Sequence, residues 1–237
     1  MGWRHRIAYS ALSSGFANAL KSEMRCLPAR LRCFLPSNLF RIQKARRAPV
    51  KCLNVGAGSH QRQGWYSIDL VHPGVDIRWD VRWGLPFRSD TVERIHCEHF
   101  LEHLEYPRET KSFLGECYRI LKPGGELRLI VPDAEKYIQA YVRRDLAFWK
   151  NLSDLGGTPV PFETEIEIMN QAFRMGGEHL FAFDSKTLRL VLSNAGFSKI
   201  ELGDFSSLYL DQHDAWRRVE SLYLTARKSN SVLAKAA

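Results

Sequence analysis

From about residue 50 onward the chain alternates short apolar runs with stretches of helical periodicity. Runs at 51–55, 65–70, 75–79, 91–97 and 126–131 each stop against glycine, aspartate, glutamate or proline, and read as strands. Between the last two, residues 108–121 set Phe113, Leu114, Cys117, Tyr118 and Leu121 at helical spacing. Lys122-Pro123-Gly124-Gly125 stops that helix, because proline cannot continue it and glycine adopts the conformations found past a helix end. Toward the C-terminus, 185–194 reads as a helix closed by Gly196, with strands at 199–202 and 221–226. Strands separated by helices predict a mostly parallel, doubly wound α/β sheet with right-handed crossovers.

In such a sheet ligands gather at the carboxyl ends of the strands, near the point where strand order reverses. The residues predicted there are Gly56 and Gly58, Asp69, Asp80, Glu98 with His99, and Pro132 with Asp133. Any one of them would serve as a turn or cap residue. Five strand ends in a row finishing this way point instead to a site. Leu53-Asn54-Val55-Gly56-Ala57-Gly58-Ser59 runs a strand into two glycines, whose missing side chains let backbone approach a ligand. Asp69 closes the next run, where a carboxylate can accept hydrogen bonds from a ribose diol. The pair points to a nucleoside cofactor. Asp69 follows Gly58 by only 11 positions, whereas a dinucleotide fold places its acidic residue about 20 residues on. The first crossover helix is therefore expected to be a turn or so, and a nicotinamide cofactor is disfavoured.

Composition adds a division of the chain. Its 237 residues, 45% hydrophobic and 25% charged, suit one sizeable domain with an appendage. The net charge of +8 is uneven: residues 1–48 hold ten of the 34 Lys/Arg but one of the 26 Asp/Glu, Glu23. The basic character belongs to the N-terminal extension, so nucleic acid is disfavoured as a substrate. Within the extension Leu27, Leu31, Phe34, Leu35 and Leu39 alternate with arginines as in a basic amphipathic helix. That suits peripheral contact of residues 1–48 with an anionic membrane; a transit peptide or a solvated tail are the alternatives. Scattered cysteines without a Cys-x-x-Cys pair imply a cytoplasmic, reducing setting and no cysteine-based zinc site. No stretch approaches the roughly 20 apolar residues needed to span a bilayer.

Taken in series, 53–59, Asp69, Asp80, Leu85-Pro86-Phe87, 98–104 and 116–125 resemble the motifs of class I methyltransferases that use S-adenosylmethionine. They are most similar to the small family often labelled methyltransferase type 11, its most specific marks being Leu101-Glu102-His103 and the run from Glu116 to Gly125. The resemblance covers 50–133, with 181–197 more loosely. It implies a seven-stranded Rossmann-like sheet over 49–228, a cap insert at 135–180 for substrate and a tail at 229–237. It further implies that Asn54, Gly56, Ala57 and Gly58 pass under the methionyl part and ribose, that Asp69 holds the ribose hydroxyls, and that Asp80 with the Val81 amide faces the adenine. Cys97 and Glu98 would line the methionyl end. The usual third glycine of the loop is replaced near His60 or Gln61.

Methyl transfer is an in-line displacement, so the protein chiefly aligns nucleophile and methyl, with a base for an oxygen or nitrogen acceptor. The candidate bases at the strand ends are His99, His103 and Asp133, with His179 delivered from the insert by Gly176-Gly177; the three histidines are the catalytic residues expected. The expected reaction is O-methylation of a small-molecule or glycan acceptor. The insert's aromatics Tyr137, Tyr141, Trp149, Phe162 and Phe173 form either a lid or the core of a small helical unit. His99-Phe100-Leu101-Glu102-His103 also matches the inverted zinc-peptidase motif, in which a helix would place His99 and His103 on one face. The motif directly follows a strand and no downstream glutamate stands out as third ligand, so no metal is expected. A cofactor-binding module without turnover is the other alternative.

Overall fold

The structure, a computed structural model, describes residues 14–47, 50–157, 162–203 and 215–230. Seven strands form one sheet: β1 (Cys52–Val55), β2 (Tyr66–Asp69), β3 (Ile77–Arg78), β4 (Val92–Glu98), β5 (Leu121–Pro132), β6 (Phe197–Gly203) and β7 (Ser221–Lys228). Their order is β3-β2-β1-β4-β5-β7-β6. The pairings from β3 through β5 are parallel, whereas β7 runs antiparallel to both β5 and β6. The order reverses between β1 and β4, which places a crevice where their carboxyl ends diverge.

The strands are apolar where they are covered. Leu53, Ile95, Leu127 and Ala226 form one cross-sheet row, and Val55, Cys97, Leu129 and Leu224 the next, all buried. Helix α3 (Arg108–Ile120) packs Phe113, Leu114, Cys117 and Ile120 into the same core. Leu188 and Leu192 of α7 (Ser185–Asn194) join them. The row between carries Asn54, His96 and Arg128 on the opposite face.

Residues before β1 form two helices, α1 (Ser14–Cys33) and α2 (Pro36–Arg47). Ile42 and Ala45 are buried in the main core, and Asn38 pairs with the edge strand through both backbone groups of Arg78, each at 2.9 Å. An amide side chain thus completes the ladder that a further strand would otherwise supply. Residues 1–13, where a targeting signal would sit, lie outside the described residues. Among the described residues no helix is long and apolar enough to cross a membrane.

The stretch between β5 and α7 holds α4 (Ala134–Arg143), α5 (Leu146–Asp154) and α6 (Glu165–Arg174). Tyr137, Ala140, Trp149, Leu152 and Met169 make a small separate core, joined by Phe173 and by Trp216 of α8 (Ala215–Glu220). Tyr137 and Trp149 are therefore packing residues, Phe173 is partly buried against them, and Tyr141 is exposed.

One expectation fails. No helix lies between β1 and β2: residues 56–65 are turns and bends. Side-chain and strand contacts hold this loop in place of a helix, since Gly56 and Ala57 both donate to Ile68 O and Asn54 Nδ2 donates to His60 O at 2.9 Å.

Candidate active site

The glycine loop closes tightly over the end of β1. Gly56 has φ +65°, and a Cβ there would stand 2.4 Å from Cδ2 of Phe100, so any other residue would be strained and would have to displace that ring. Gly58, at φ +51°, faces open space. Asp69 braces the loop from the neighbouring strand: Oδ2 accepts from Gly58 N at 3.0 Å, while Oδ1 accepts from Val71 N and His72 N at 2.8 and 2.9 Å. Three backbone donors fix this carboxylate at the edge of the crevice.

Asp80 is 3% exposed and clamped by two arginines. Arg82 reaches Oδ1 through Nε at 2.9 Å and Oδ2 through Nη2 at 2.7 Å, and Arg30 of α1 reaches Oδ2 through Nε at 2.9 Å. Burial would raise this carboxyl, but the arginines hold it below the usual aspartate value. Val81 follows on a 3-10 turn, where it is buried.

At the end of β4, Cys97 is buried and its thiol is pushed well up by burial. Glu98 accepts from Arg217 and meets His96 Nε2 at 3.1 Å. Burial opposes its charge, yet His96 and Arg217 draw its carboxyl down to about 2. His96, Arg30 and Arg217 carry much of this electrostatics and were not flagged by motif. A histidine in an apolar strand was a usable signal for His96. Arg30 and Arg217 lie 50 and 119 positions from their partners, and nothing local marks them.

The chain then turns through His99 at φ +47° into a 3-10 turn, Leu101–His103, where the inverted motif would need an α-helix. His99 is thereby separated from His103: its Nε2 meets Ser221 Oγ at 2.9 Å, and burial, then Arg217, holds the ring neutral. The other two histidines come together. Gly176 and Gly177, at φ +65° and +101°, bend the chain after α6, and the His179 ring stands edge-on to His103 with centroids 4.7 Å apart. His103 Nδ1 lies 3.0 Å from Glu178 O and His179 Nδ1 lies 2.5 Å from Ala172 O. Each backbone carbonyl fixes the proton on Nδ1 and leaves the lone pair on Nε2. Burial lowers both rings, His179 to about 4. Glu102 lies beside them, 1% exposed, and burial followed by Glu220 pushes its carboxyl up to about 8. Leu180 N and Phe181 N both donate to Glu102 O, tying the segment carrying His179 to this turn.

Residues 68–129 match the profile of the methyltransferase domain family, type 11. Over that stretch the chain carries a methyltransferase domain of the S-adenosylmethionine-dependent class. The seven-stranded mixed sheet with its flanking helices is the architecture expected of such a domain. Solved structures similar to this methyltransferase include one from Methanosarcina mazei described as S-adenosylmethionine-dependent (15% identity over 76% of this chain and 93% of that one, TM-score 0.46). Another comes from Archaeoglobus fulgidus (15% identity, 80% and 91% covered, TM-score 0.47). A third is a phosphoethanolamine N-methyltransferase 2 from Haemonchus contortus, in complex with phosphomonomethylethanolamine and S-adenosylhomocysteine (12% identity, 81% and 52% covered, TM-score 0.44). No curated protein matches the sequence.

The residues expected at the ribose and methionyl end of the cofactor leave room for it. Backbone at Gly58 is bare toward open space, and Asp69 and Glu98 stand at the ends of the two strands that flank β1. Asp80, which the resemblance assigns to the adenine, already accepts four hydrogen bonds from Arg30 and Arg82.

Proposed function

We propose that this methyltransferase acts on a hydroxyl of a small-molecule or glycan acceptor seated between the 101–103 turn and the insert. The observation that carries this reading is the pairing of His103 and His179, each with Nδ1 committed to a backbone carbonyl and Nε2 left as an acceptor. S-adenosylmethionine supplies the methyl group on a sulfonium that departs with the bonding electron pair. The chain's own task is alignment. Gly56, Ala57 and Gly58 with Asn54 shape the cofactor floor, Asp69 and Glu98 bound it, and Asp80 with Val81 closes the adenine end. Burial keeps both imidazoles unprotonated, so they meet a hydroxyl as acceptors of its hydrogen and would not hold an ammonium acceptor by charge. His99, turned toward Ser221, positions Glu102, whose Oε1 lies 3.5 Å from its Nδ1.

The test is transfer of labelled methyl from S-adenosylmethionine to a panel of polyols, oligosaccharides and amines, with the methylated atom located by mass spectrometry. Transfer to oxygen, lowered about a hundredfold in His103→Ala or His179→Ala with cofactor affinity retained, is the expected outcome. Transfer confined to nitrogen would overturn the acceptor assignment.

A second reading concerns placement. Met24, Leu27 and Leu31 project from α1 at 65%, 54% and 64% exposure, beside Lys21 and Arg32. An apolar row edged by cations suits an anionic membrane surface. Sedimentation with phosphatidylserine vesicles, weakened in Leu27→Glu, supports it; equal recovery with phosphatidylcholine vesicles refutes it.

A further inference from the structure

Glu102 stands out among the buried acids of the described residues. It is 1% exposed, and neither carboxylate oxygen has a hydrogen-bond partner among the described residues. A buried polar group left in this way costs about 1–3 kcal/mol, more for a charged one, so each instance calls for a missing partner. Two histidine nitrogens face it, His99 Nδ1 at 3.5 Å and His179 Nε2 at 4.0 Å.

Glu102, His103 and His179 each offer one ligand atom, and these atoms all lie within 4.8 Å of one another. The two imidazoles are oriented as metal ligands are, with the remote nitrogen hydrogen-bonded to a fixed acceptor. A backbone carbonyl on Nδ1 sets the tautomer and directs Nε2 outward. Two neutral imidazoles and one carboxylate are a donor set for a divalent first-row ion, zinc above all, with a fourth position open.

We propose that Glu102, His103 and His179 bind one divalent transition-metal ion. Tetrahedral ligation at about 2.1 Å separates donor atoms by roughly 3.4 Å. The cluster is therefore open by up to about 1.4 Å, and the glycine bend before His179 gives the insert the freedom to close on the ion. The inverted zinc-peptidase pattern named two of these three residues but the wrong third. His99 lies behind the carboxylate as its support, and His179 comes 76 positions later than His103.

Ion binding itself stands apart from the acceptor assignment; its role rests on that reading. With the ion bound, the two Nε2 lone pairs serve as ligands and no longer accept the hydroxyl hydrogen, and the open position takes the acceptor hydroxyl instead. Coordination makes that hydroxyl more acidic, its proton passes to water, and its oxygen is held facing the transferred methyl.

The experiment uses chelator-treated full-length protein titrated with zinc chloride by calorimetry and with cobalt(II) by visible absorption. One ion per chain is expected, with affinity at least a hundredfold lower in His179→Ala and in Glu102→Gln, which preserves side-chain volume. Thermal melting without metal checks that each variant folds, and Glu102→Gln decides if His179→Ala does not. No stoichiometric uptake by the wild type, or equal uptake by a folded variant, overturns the proposal. S-adenosylmethionine binding and methyl transfer are measured on the same samples. Zinc uptake with transfer only to nitrogen would sustain the ion site and overturn the hydroxyl reading; oxygen transfer by a protein that takes up no zinc would do the reverse.

Discussion

Replacing Glu220 with glutamine should stabilise the protein at alkaline pH and change little under acid conditions. Glu220 closes α8 at 3% exposure, and burial pushes its carboxyl up to about 7 against the opposing pull of Tyr137, Arg217 and Lys136. Tyr137 of α4 donates its hydroxyl to Oε2, while Oε1 faces His99 Nε2 at 3.6 Å without a hydrogen bond. Glu102 is the other acid close by. The folded protein thus holds the Glu220 proton more tightly than the unfolded chain, whose carboxyl titrates near 4.5. Its contribution is most favourable below pH 4.5, declines as pH rises to about 7, and is level above that. Moving a carboxyl from 4.5 to about 7 corresponds to about 3 kcal/mol. Glutamine keeps the volume and an acceptor for Tyr137 but has no charge to bury. Urea denaturation of both proteins at pH 5 and pH 8 reads the effect as a difference of differences, in which Glu102 and His99 largely cancel. The variant should gain about 2–3 kcal/mol on the wild type across that interval. A difference that stays flat with pH would show that Glu220 is ionised in the folded state throughout, and the reasoning would fail.

Other substitutions probe the cofactor crevice. Gly56→Ala drives a methyl group into the Phe100 ring at a backbone conformation that favours glycine, and should cost about 2–3 kcal/mol by chemical denaturation; a neutral result would mean that Phe100 moves freely. Asp69→Ala removes the acceptor of three backbone donors, so both stability, by about 1–3 kcal/mol, and S-adenosylmethionine affinity should fall. Calorimetry showing unchanged affinity would take Asp69 out of the site. Arg30→Ala removes one of the two donors on Asp80 Oδ2, leaving that oxygen to Arg82 alone with room for the adenine, and should tighten cofactor binding severalfold, whereas weaker binding would make Arg30 a wall of the pocket.

Much of the sheet was readable because each strand announces itself locally. The periodicity over 108–121 and the Lys-Pro-Gly-Gly stop describe α3 to within a residue, since helix and terminator are neighbours in sequence. The same locality explains the failure after Gly58. A short step to Asp69 correctly implies a compact crossover, but a ten-residue span held by Asn54 and Ile68 needs no helix at all. The N-terminal segment was legible as basic and amphipathic. That α2 would lend Asn38 to the backbone of β3 was not, because an asparagine bonded 40 positions away leaves no pattern.

The histidine-rich turn shows where sequence spacing stops being informative. His99-Phe100-Leu101-Glu102-His103 has a meaning as a ligand set only if the backbone is helical, because only then do positions i and i+4 share a face. Here the strand ends at Glu98 and the chain passes through a left-handed residue into a 3-10 turn, so His99 and His103 point apart. What replaces the missing partner is decided by the insert: Leu180 and Phe181 anchor to the Glu102 carbonyl, and that anchor carries His179 to the carboxylate. A motif search therefore locates the carboxylate and one imidazole while misjudging the third group, and the correct set depends on a contact between segments some 76 residues apart. Relocating His179 by deleting one of the two bend glycines should abolish zinc binding while leaving Glu102 and His103 in place. Retained affinity in such a variant would mean that His99 can still swing back to complete the pattern its spacing suggested.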